Sequence, residues 1–77
     1  MARIANFLPG KLNRVQLHDE IDATFYAHEY DGRRILQINT AGRPDREVPG
    51  KVSQSIQLDE KSGRQLFEIL QTHFAFK

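Results

Sequence analysis

The chain has no cysteine. Neither a disulfide nor a thiolate–metal cluster can therefore staple it. The absence also fits a reducing compartment, and a cytoplasmic location is the expectation. Long apolar runs are missing as well. Met1 to Leu8 reads as neither a signal peptide nor a membrane span. Charge of one sign is scarce: 11 basic against 10 acidic side chains leave a net charge of +1. That balance alone argues neither for nor against a nucleic-acid partner. There is no internal repeat and no low-complexity segment. His18, His28 and His73 are isolated, and none stands at a metal-ligand spacing such as HxxxH. No metal and no cofactor are expected.

What is present is the composition of a globular domain, with 39% hydrophobic and 27% charged residues. Seventy-seven residues make one domain, residues 1–77. A chain of this size buries only roughly 60% of the surface that its unfolded form exposes, so its core is marginal. Oligomerisation is the remaining common device, and a homodimer is expected. The charge is unevenly spread. Residues 1–31 carry three basic against five acidic side chains, residues 32–52 five against two, and residues 53–77 three of each. Positive charge is concentrated in the middle.

The strongest organisation lies in the last third. Val52, Gln54, Ile56 and Leu58 alternate with Ser53, Ser55 and Gln57, which predicts a half-buried strand. Asp59 then provides a carboxylate that can accept from a free N–H of a following helix. Glu60 adds negative charge at the positive end of the helix dipole. Leu66, Phe67, Ile69, Leu70, His73 and Phe74 recur at helical spacing. His73, near the helix C-terminus, reads as structural.

Earlier in the chain, residues 1–10 read as an arm with apolar Ile4, Phe7 and Leu8 before a Pro9-Gly10 turn. Val15 and Leu17 alternate, predicting a short strand over 11–17, and His18 to Asp22 reads as an acidic loop. Ala23 to Tyr30 predicts a strand, Asp31-Gly32 a two-residue hairpin turn, and Arg34 to Thr40 the returning strand. Gly42, Pro44, Pro49 and Gly50 predict a loop over 41–51, long enough to suggest a function. The expected fold is α+β: an antiparallel three- to four-stranded sheet over 11–58, then one C-terminal helix over 59–74 packed on one face. Phe25, Ala27, Leu36, Ile38, Ile56 and Leu58 are expected under that helix.

The opposite face would present Tyr26, His28, Tyr30, Ile35, Gln37, Asn39, Ser53, Ser55 and Gln57. Aromatic rings can stack bases and amides can bond their edges. Arg33, Arg34, Arg43, Arg46 and Lys51 can neutralise phosphates. Nucleic acid is the leading expectation for this face, ahead of a dimer interface or protein-contact surface and of plain solvated sheet. Arg43, Asp45, Arg46 and Glu47 can form local ion pairs, each worth about 0–1 kcal/mol when exposed. Gly50-Lys51-Val52-Ser53 is no phosphate-binding loop, because its glycine spacing is wrong and a strand follows. His28 and Glu29 are strand neighbours and point to opposite faces. No nucleophile, base and orienting group can be assembled, so no enzyme activity is expected.

Glu29-Tyr30-Asp31-Gly32-Arg33-Arg34-Ile35-Leu36-Gln37-Ile38, then Pro49-Gly50-Lys51 and Ser55-Ile56-Gln57-Leu58-Asp59, then Leu66 and Leu70, form a pattern across residues 24–74. It resembles the single-stranded-DNA-binding domain of transcriptional coactivators of the positive-cofactor-four type. The resemblance implies a four-stranded curved sheet, a helix-mediated dimer and single-stranded nucleic-acid binding along the sheet. It implies backbone contacts at Arg33, Arg34 and Lys51 and stacking at Tyr26 and Tyr30. The family usually has more basic strands, often with a second lysine where Val52 stands here. The series Leu36-Gln37-Ile38, Thr40, Gly42, Asp45-Arg46, Gly50-Lys51, Ser53 to Gln57 and Asp59-Glu60 also resembles small bacterial and phage proteins, some named methionyl-tRNA formyltransferase. No constellation for that chemistry is visible in this chain. The phage likeness implies an alternative, an anti-defence inhibitor that binds a host protein complex.

Overall fold

The computed structural model describes residues 1–41 and 52–77. Its elements are β1 (Ala2–Ile4), β2 (Ala23–Tyr30), β3 (Arg33–Ala41), β4 (Val52–Leu58) and α1 (Glu60–Phe74). The four strands form one sheet in the order β1-β4-β3-β2. The layout is α+β, with a single helix after the sheet.

The β2–β3 hairpin follows from its turn. Asp31 and Gly32 both take positive φ, 52° and 78°, as a two-residue turn matched to strand twist requires. The register then runs from Tyr30 opposite Arg33 to Ala23 opposite Thr40. β4 continues the antiparallel sheet on the other side of β3, with Leu36 opposite Leu58 and Ile38 opposite Ile56. The ladder shifts register between Thr40 and Ala41.

The fourth strand corrects the expectation of a wholly antiparallel sheet over 11–58. Lys11 to Leu17 forms no strand, and Val15 and Leu17 are exposed. The free edge of β4 is filled instead by the arm, and β1 pairs with it in parallel: Ala2 with Ile56, Arg3 with Gln57 and Ile4 with Leu58. The sheet is therefore mixed. Two alternating apolar residues make a strand only where a ladder partner takes their backbone groups. The arm occupies that place.

α1 begins in a reciprocal cap. The Ser62 N–H donates to Asp59 Oδ1 at 3.1 Å, and the Asp59 N–H donates to Ser62 Oγ at 3.1 Å. The Gly63 N–H donates to the Asp59 carbonyl at 2.8 Å and closes the first turn. Glu60 stands in the first turn, where its negative charge suits the helix dipole, and His73 stands in the last turn. Ala75, in the left-handed region at φ 56°, ends the helix, and the Phe76 N–H donates back to the Gln71 carbonyl at 3.1 Å.

The pairing places Phe25, Ala27, Leu36, Ile38, Ile56 and Leu58 on one face, as the alternation requires. Burial there differs from the expectation. Leu58 is buried, Leu36, Ile38 and Ile56 are half-buried, and Phe25 remains 72% exposed. α1 lies against β3 and β4, so the face of the edge strand β2 is left open. Leu58 and Ile35 are the buried hydrophobic residues among those described, and Ile35 belongs to the opposite face. Phe67, Ile69 and Phe74 of α1 are exposed.

Candidate nucleic-acid interface

Consider the face that carries Ile35. Alternation along each strand puts Tyr26, His28 and Tyr30 of β2 on it, then Arg33, Ile35, Gln37 and Asn39 of β3, then Ser55 and Gln57 of β4. One transverse row crosses the whole sheet. Tyr26 pairs with Gln37, Gln37 with Gln57, and Gln57 with Arg3. Three strand spacings make that row about 14 Å long.

The amides in its middle are tied together. Gln57 Nε2 donates to Gln37 Oε1 at 2.9 Å, and Gln37 Nε2 donates to Asn39 Oδ1 at 3.0 Å. The Ser55 hydroxyl donates to the same Asn39 oxygen at 2.8 Å. The chain ties β3 to β4, so it fixes the side-chain orientations that a ligand would meet. Each glutamine NH₂ carries two hydrogens, and the ladder uses one of them.

The aromatic edge is accessible, with Tyr26 48% and Tyr30 74% exposed. Arg33 stands directly opposite Tyr30 and shares its face. Arg34, its chain neighbour, falls on the other face, opposite Glu29. The structure thus brings Tyr26, Tyr30 and Arg33 together and sets Arg34 apart from them. Arg43, Arg46 and Lys51 lie outside the described residues, as do Asp45 and Glu47 with their expected ion pairs.

Arg3 is a cation of this face that sequence reasoning missed. Its signal was only the alternation of the arm, and three residues are too few to show a period. Arg3 also acts on Asp59, whose carboxyl is held below the ordinary aspartate value. The largest cause is the hydrogen bond from the Ser62 N–H; the Ser62 hydroxyl and the Arg3 charge add to it, against the opposing effect of burial.

A broad groove lies between the end of the β2–β3 hairpin and the start of α1. Glu29, Arg33, Arg34, Asp59, Glu60 and Lys61 line it. Three charges of each sign give an anion no net attraction there, so the groove is the weaker candidate for phosphate. Among the described residues no cluster of three or more His, Cys, Asp or Glu could hold a metal ion, and no helix is long and apolar enough to cross a membrane. Compared with protein-family models, with curated proteins and with solved structures, the chain matches none.

Proposed function

We propose that this chain is a non-enzymatic domain that binds single-stranded nucleic acid, acting as a homodimer in the manner of a coactivator. The observation that supports the reading is the transverse row, with an exposed tyrosine at one end, an oriented amide ladder in the middle and an arginine at the other end. Bases stack on Tyr26 and Tyr30, amide N–H groups meet base edges, and Arg33 and Arg3 meet phosphates. An unpaired strand suits such a face better than a duplex, because its bases can leave the stack to reach the rings.

The test is fluorescence anisotropy of a labelled single-stranded oligonucleotide at two salt concentrations. Affinity should fall with salt, with a log–log slope of about −0.7 per phosphate contacted. Tyr26→Ala should weaken binding by about 1–3 kcal/mol. Arg33→Glu should weaken binding and flatten the salt slope, whereas Arg34→Glu, on the opposite face, should do neither. No binding at low salt, or binding indifferent to salt, would rule the reading out.

A second reading is a protein-interaction module, such as a phage anti-defence inhibitor or a small dimeric adaptor. The exposed apolar side chains of Phe67, Ile69, Phe74 and Phe76 favour it. It predicts that the chain, used as bait, retains a second protein after nuclease treatment.

A further inference from the structure

β2 is an edge strand of eight residues, every one exposed. Proteins normally blunt such an edge with proline, lysine, a bulge or a covering segment. Ala23 to Tyr30 contains no proline, glycine or lysine, and Glu29 is its one formally charged residue. Its ladder with β3 runs without a register shift. Among the described residues no strand pairs with this edge, and such an edge is a template for another strand.

The hairpin dictates which backbone groups are free. A two-residue turn closes on Tyr30 and Arg33, which makes them a hydrogen-bonded pair. Alternation along an antiparallel ladder then turns the backbone groups of Tyr30, His28, Tyr26 and Thr24 inward to β3. The N–H and C=O of Glu29, Ala27, Phe25 and Ala23 point outward from the sheet.

We infer that these outward groups are taken up by β2 of a second copy, paired antiparallel about a two-fold axis through Tyr26. This rests on the homodimer of the preceding reading and names its interface. In that register Ala23 faces the partner's Glu29 and Phe25 faces the partner's Ala27, so all four outward residues on each strand are bonded. A large side chain meets a small one on one face, and Tyr26 meets the partner's Tyr26 on the other. Centring the axis on Ala27 leaves Ala23 unpaired and sets Phe25 against the carboxylate of the partner's Glu29. Centring it on Phe25 leaves Glu29 unpaired and sets ring directly against ring. The axis is perpendicular to the sheet, so both copies keep their tyrosine faces on the same side. The product is one continuous eight-stranded sheet with the two rows of Tyr30, His28 and Tyr26 meeting at its centre.

The chain has no cysteine, so single cysteine variants report the register cleanly. At Tyr26 the non-hydrogen-bonded pair on the axis would hold the two Cα atoms about 4.5 Å apart, within disulfide reach. At His28 the two copies would be offset by four residues, about 13 Å. Tyr26→Cys oxidised by added copper–phenanthroline should shift to a covalent dimer band, and His28→Cys should stay monomeric. Sedimentation of the unmodified chain should give twice the 8.9 kDa of one copy. A mass of 8.9 kDa would overturn the inference. A dimer that cross-links at neither position, or at both alike, would also overturn it. No oligonucleotide enters either measurement, so failure of this interface and failure of nucleic-acid binding are separately visible.

Discussion

At the junction of β4 and α1 a single carboxylate links the sheet to the helix. Asp59 accepts from the Ser62 N–H and hydroxyl and lies in the field of Arg3 from β1. Each of these favours its charged form, and together they hold its pKa below the ordinary value despite the opposing effect of burial. A depressed folded-state pKa contributes stability that is present above the unfolded value of about 3.9 and is lost as pH falls through the folded one. Asp59→Asn keeps an oxygen to cap the helix and removes the charge. The variant should therefore unfold at lower urea than the parent at pH 7. The gap should begin to narrow as pH drops below about 4, where the unfolded chain takes up the proton, and vanish below the folded value, where the parent has lost the same charge. Urea midpoints of both proteins across that range check it. A gap that is constant with pH would show that the charge on Asp59 does not contribute.

Left-handed backbone at Gly32, beside Asp31 in the β2–β3 turn, and at Ala75 sets the ends of the longest elements, and these two positions respond in opposite directions to the same Cβ penalty. Gly32 sits at φ 78° in the β2–β3 turn, where an added Cβ would meet no atom within 4 Å. Gly32→Ala should therefore lose only the conformational term, about 1–2 kcal/mol, visible as a lower thermal midpoint. Ala75 holds the comparable conformation at the end of α1, φ 56°, without being glycine. Ala75→Gly should raise the midpoint by relieving about 1 kcal/mol. The hairpin, β4 and the capped helix were legible because each declares itself locally: Asp31-Gly32 as a turn, Val52 to Leu58 as alternation, Asp59 as a cap. β1 was not legible, because three residues cannot display a period and their pairing with Ile56 to Leu58 is long-range. Val15 and Leu17 showed the period but have no ladder to join. At the candidate site, alternation alone put Tyr26, Gln37 and Gln57 on one face. The amide hydrogen bonds, the place of Arg3 and the separation of Arg33 from Arg34 needed the register across strands.

The whole molecule leaves more surface to water than its mass leads one to expect. Its accessible area is 7503 Å², whereas a compact monomer of this mass exposes about 4,800 Å². Its radius of gyration is 14.7 Å, against about 11.5 Å for a compact chain of the same length. Part of the excess belongs to residues 5–22, nearly all of them exposed. The rest includes both sides of β2 and the apolar stripe of α1. A standard interface would cover about 800 Å² on each copy, well within this excess. Two buried hydrophobic side chains among the described residues are a small core, and burial on association would contribute much of the stability. Folding would then be linked to association, and the thermal midpoint would depend on protein concentration. A tenfold increase in concentration is equivalent to about 1.4 kcal/mol. Divided by the unfolding entropy of two such chains, it should raise the midpoint by about 4 °C. Thermal melts followed by circular dichroism over two decades of concentration would show it. A midpoint that does not move would mean that a single copy is stable with its β2 edge and helix stripe in water, and those surfaces would then be free for a different partner.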